Sequence, residues 1–87
     1  MRAKTSDGFE VEIIEEHLDD WEFLELLDEV DNGNTGAIVR VARYLLGEEQ
    51  VKALKQHIRE AEGKVQASKM VNALTEIMES VSTVKNS

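Results

Sequence analysis

The chain has no cysteine and no proline among its 87 residues. Without cysteine there is no disulfide, no thiolate metal site and no thiol nucleophile. Without proline the commonest helix breaker is missing, so helices must be ended by glycine, asparagine and capping side chains. Aromatics are scarce: two phenylalanines, one tyrosine and one tryptophan. No apolar run approaches the roughly 20 residues that cross a bilayer. The opening MRAKTSDG lacks the apolar segment of a secretion signal, so export is not expected. The length fits one domain, residues 1–87, with one modest core.

Positive charge is the other scarcity, and it is unevenly placed. Residues 1–31 carry twelve acids against Arg2 and Lys4, a net of -10. Residues 32–87 carry eight bases against six acids, a net of +2, and the two parts make the -8 of the whole chain. An acidic half repels nucleic-acid phosphates and anionic membranes. It suits a basic protein surface, on another protein or on a neighbouring copy.

What the chain has is helical periodicity. It begins, however, with a hairpin signal over residues 1–14: Asp7-Gly8 suits a two-residue turn, and Phe9, Val11 and Ile13 alternate onto one face. The strand before the turn carries little apolar signal. About four short helices are expected after it, forming a bundle over residues 19–81, with residues 82–87 a frayed polar tail. Asp19 is the expected N-cap of the first helix. Glu22 then completes a capping box, and Leu18 with Phe23 a hydrophobic staple. Asn32-Gly33 is the expected stop. Asn34 or Thr35 would cap a second helix that buries Ile38, Val41, Ala42 and Leu45 and that Gly47 closes. A third opens at Glu48 with Val51, Leu54 and Ile58 inward, and ends at Gly63. A fourth, from about Gln66 to Val81, turns Met70, Val71, Leu74, Ile77, Met78 and Val81 to the core. The fold class is mainly α with a short N-terminal β-hairpin.

No constellation carries catalysis. Residues 17–33 hold seven acids and no lysine or arginine. Bringing those acids inward would displace Trp21, Leu24 and Leu27, and burying unpaired carboxylates costs several kcal/mol, so the acids belong to a solvated face. DEVDNGNTG (residues 28–36) lacks the glutamate that closes a calcium loop. His17 and His57 fall in no zinc motif, and Gly33 and Gly36 form no phosphate loop. Arg40, Arg43, Lys52, Lys55 and Arg59 suggest a helix-turn-helix only faintly, because the helix after Gly47 opens on Glu48 and Glu49. The reading is therefore not an enzyme: no catalytic residue, no cofactor, no metal, no nucleic acid and no membrane. Phe9, Val11, Ile13, Trp21, Met70 and Met78 are the candidates for a partner or self-association interface, by their apolar character. For Trp21 the first expectation is nonetheless a place in the core.

The order DGFEVEI, LDDWEFLELLDEVDNG, RYLLGEEQ, VKALKQHIREAEGKV and MVNALTEIMESV, over roughly residues 7–82, resembles the small tail assembly chaperones of long-tailed (siphovirus-type) bacteriophages. The resemblance implies a protein that binds the long, helical, aggregation-prone tape measure protein. It would hold that protein soluble, help recruit tail tube subunits, and leave before the virion is finished. It implies action in the host bacterial cytoplasm, self-association, and, in many such proteins, a longer frameshifted form of which this chain would be the short counterpart. A different class of function is also open: a small acidic phage or mobile-element inhibitor, a DNA mimic whose carboxylates imitate phosphates.

Overall fold

In a computed structural model the backbone is described for residues 1–86 and the side chains for residues 1–81. The frayed tail expected at residues 82–87 falls on residues whose side chains lie outside that description. The elements are strand β1 (Arg2–Lys4), strand β2 (Glu10–Glu12), a single 3-10 turn (Glu15–His17), and helices α1 (Trp21–Asp31), α2 (Ala37–Glu62) and α3 (Ala67–Asn86). The chain is mainly helical with a two-stranded antiparallel sheet. Among the described residues there are three α-helices, not four. The second and third expected helices run on as α2, with Gly47 alone out of helical conformation at φ 78°, ψ 160°. One glycine, with no linker, makes the bend.

The hairpin pairs within the chain, Arg2 with Glu12, Ala3 with Val11 and Lys4 with Glu10. Its turn is one residue longer than Asp7-Gly8 suggests. The Thr5 amide donates to the Phe9 carbonyl at 2.9 Å, and the Gly8 amide to the Thr5 carbonyl at 3.0 Å. Ser6, Asp7 and Gly8 thus form a three-residue loop with Gly8 in the left-handed region at φ 94°, the arrangement that leaves a glycine bulge. Thr5, buried, holds this loop: its hydroxyl donates to Asp7 and accepts from the Phe9 amide at 3.1 Å. The first strand, weak by composition, is anchored by Ala3 and Thr5, both buried.

The outer edge of β2 is capped at Glu12. The Gln50 side chain donates to the Glu12 carbonyl at 2.7 Å and accepts from the Glu12 amide at 2.6 Å. The same Nε2 donates to the Leu46 carbonyl at 2.7 Å, just before the Gly47 break. One carboxamide therefore occupies a strand edge open to pairing and ties it to the bend of α2.

Helix ends follow local chemistry. At the end of α1 the Gly33 amide donates to the Val30 carbonyl and the Asn34 amide to the Glu29 carbonyl, both at 3.0 Å. With Gly33 at φ 94°, this is a Schellman stop. The start of α2 is not capped by Asn34 or Thr35; its N-cap is Gly36, with no side-chain bond. One core joins the elements, with Ile13, Leu54 and Ile77 fully buried where hairpin, α2 and α3 meet.

Candidate functional site

The start of α1 decides which residues reach the surface. Asp20, not Asp19, is the N-cap: its backbone is extended and its Oδ1 accepts from the Glu22 amide at 2.8 Å. Glu22 is then the second helical residue, so the expected capping box does not form. The Asp20 carboxylate also accepts from the Tyr44 hydroxyl of α2. That bond, and the Glu22 amide, hold the Asp20 carboxyl below its usual range, while the carboxylate pushes the Tyr44 phenol up to about 12. Tyr44 stacks on Phe23 at 5.5 Å between ring centroids, and its carbonyl lies 3.1 Å from His17 Nδ1.

This clamp sets the rotation of α1. Phe23 is 2 % exposed, and Leu26, Leu27 and Val30 pack beside it. Trp21 is 74 % exposed and Leu24 51 %, against the expectation that both turn inward. Residues 23, 26, 27 and 30 fall within roughly 100° of arc at 3.6 residues per turn, and 21, 24, 25 and 28 fall on the opposite side. Trp21 and Leu24 therefore sit among Glu25 and Asp28 on an acidic outward face.

A second polar cluster joins the hairpin loop to α2. His57 Nε2 lies 2.7 Å from Asp7 Oδ2, and the ring packs on Phe9 at 5.0 Å between centroids. Bonds from the Thr5 hydroxyl and then His57 lower the Asp7 carboxyl below its usual range. The cluster closes the hairpin onto the helix.

The other surface feature is apolar. Two grooves lie along α2 and α3 and share Ile38, Val71 and Leu74. The first, of about 650 Å³, is walled by Leu27, Val30, Val41 and Met78, with Asp31 and Glu79 on its rim. The second, of about 590 Å³, is walled by Val39, Val51, Val65 and Met70, with Arg43 and Lys55 on its rim. Val39 and Val71 are 52 % and 37 % exposed. Apolar residues concentrated in adjoining concavities are the surface on which proteins receive apolar partners.

The six interface candidates are thus dispersed. Val11 and Ile13 are buried beneath the hairpin, and Phe9 is half-buried against His57. Met70 and Met78 are half-buried and line different grooves. Trp21 stands apart on the outward face of α1. The readings from sequence assigned Ile38, Val71 and Leu74 to the core alone. Their second role had one signal: α3 carries more apolar residues than one core stripe uses, with Ala73, Leu74 and Ile77 buried and Val71 exposed.

Among the described residues no helix is long and apolar enough to cross a membrane. No protein-family model, curated protein or solved structure matches the chain.

Proposed function

We propose that this chain is a non-enzymatic tail assembly chaperone of a long-tailed bacteriophage. It binds the tape measure protein, keeps it soluble in the host cytoplasm, helps recruit tail tube subunits, and is absent from the finished virion. The observation that supports the reading is the acid-rimmed groove between α1, α2 and α3. Its walls of Leu27, Val30, Val41, Val71 and Met78 suit the apolar face of a helix. Its rim residues Asp31 and Glu79 suit a helix with basic flanks. Met78, unbranched and flexible, lets the wall adapt to successive segments of a long partner. The large acidic excess keeps the loaded assembly in solution.

The inhibitor reading fits less well. A phosphate mimic needs a continuous acidic face, and on α1 that face is interrupted by Trp21 and Leu24, both largely exposed.

Co-expression with the tape measure protein of the same phage tests the proposal. Thr75 lines the groove at the surface, so Thr75→Lys places a cation in it without disturbing the core. The wild-type chain should carry the partner into the soluble fraction and co-purify with it, and Thr75→Lys should not. A partner equally insoluble with and without the wild-type chain overturns the proposal.

A further inference from the structure

Trp21 and Leu24 stand largely exposed on the outward face of α1. The helix beneath is strongly acidic, with Glu25 and Asp28 flanking the pair and no lysine or arginine between residues 17 and 33. Among the described residues neither Glu25 nor Asp28 makes an ion pair. Elsewhere on the same molecule lies the second groove, walled by Val39, Met70 and Val71 and rimmed by Arg43 and Lys55, two cations that make no ion pair among the described residues. A molecule with net charge -8 has few basic surfaces to offer, and one of them borders an apolar groove.

The two surfaces complement each other in both respects. One is a protruding apolar pair in an acidic surround; the other is an apolar recess in a basic surround. They cannot meet within one chain, because α1 already packs its opposite face on α2 through Phe23. The acid-rimmed groove would repel the α1 face, whereas the base-rimmed groove attracts it. Tryptophan is among the residues enriched as interface anchors, which sit in well-packed, desolvated pockets.

We infer that the outward face of α1, through Trp21 and Leu24, docks into the Val39–Met70–Val71 groove of a second copy. The contact joins unlike surfaces, so it is head-to-tail and propagates into a closed ring or an open filament rather than stopping at a two-fold dimer. This rests on the self-association that the chaperone reading carries and deepens it by naming the two surfaces that meet. The two grooves share Val71, but Val39 and Met70 line only the base-rimmed one and Met78 only the acid-rimmed one, so variants at those positions let either reading fail without the other.

Light scattering on two complementary variants tests it. Trp21→Ala combined with Leu24→Ala removes the knob and keeps the groove. Val39→Glu spoils the groove and keeps the knob; Val39 is exposed and outside the acid-rimmed groove, so partner co-purification should persist. The wild-type mass should rise with concentration, and the emission of its single tryptophan should shift to the blue. Each variant alone should stay monomeric across at least about a tenfold higher concentration. Mixed one to one, they should form a dimer and no larger species, because only one productive contact remains. Lys55→Glu, which leaves every apolar contact in place, should weaken association in the same assay. A wild-type chain that stays monomeric throughout overturns the inference. So does a Val39→Glu chain that still associates by itself, which would indicate contact between two α1 faces, and so does a mixture that yields no dimer.

Discussion

A single phenol shows how the fold fixes its own surface. Tyr44 reaches across to Asp20, and the carboxylate it meets raises its pKa from 10.0 to about 12. A raised phenol pKa means that the fold favours the neutral hydroxyl. The bond therefore stabilises fully below pH 10, the unfolded value, and that contribution is lost as pH rises through about 12. Absorbance titration of the one tyrosine should give a midpoint near 12 in the wild type. In Asp20→Asn the midpoint should move back toward the free value. An unshifted wild-type midpoint would mean that Tyr44 does not hold the start of α1. The same clamp explains why the N-cap was misread by one residue. Asp19 and Asp20 are equally good caps in sequence, and only the contact from α2, far along the chain, distinguishes them. Trp21 and Phe23 lie about 160° apart around the helix, so only one of them can pack on α2, and the clamp selects Phe23. The stripe itself could not arbitrate, since Trp21, Phe23, Leu24, Leu26, Leu27 and Val30 cover most of the helix circumference.

Among the elements, α2 is the one whose shape depends on a single conformation. At φ 78°, ψ 160° Gly47 lies in a region that other residues essentially do not enter. A Cβ there would meet nothing within 4 Å, so the cost of Gly47→Ala is backbone strain alone. The loss should be about 1–3 kcal/mol in chemical denaturation. The glycine was legible as a break in the sequence; that it breaks a helix without ending it was not, because nothing local distinguishes a one-residue bend from a linker. Gln50 was not legible at all. Its place on the Glu12 edge depends on the bend bringing α2 alongside the hairpin. Gln50→Ala removes its bonds to Glu12 and Leu46, and because the freed groups can be hydrated, stability should fall by about 1–2 kcal/mol. Faster hydrogen exchange at the Glu12 amide should accompany it; an unchanged rate would show that the edge is protected by something else. The stop at Gly33 was read correctly from Asn32-Gly33, since a Schellman motif is built from neighbours in sequence.

At the scale of the whole molecule, charge and apolar surface are distributed together. The acidic residues gather toward the N-terminal part, around an exposed tryptophan. Five of the bases lie on α2, and two of these, Arg43 and Lys55, line one of two adjoining grooves. Composition revealed the charge split, and the helical stripes identified most of the core. The grooves depend on how three helices are spaced, which no single stripe encodes. In the proposed function the acid-rimmed groove is the place where an apolar helix of the partner is held. The three methionines of the chain sit conveniently for a direct measurement: Met78 in that groove, Met70 in the other, and Met1 packed against the core. Methyl NMR of methionine-labelled chain can be recorded while a helical peptide from the tape measure protein is added. The account predicts that the Met78 resonance moves to saturation while Met1 stays in place. A Met78 signal that does not respond, or a response confined to Met1, would contradict it.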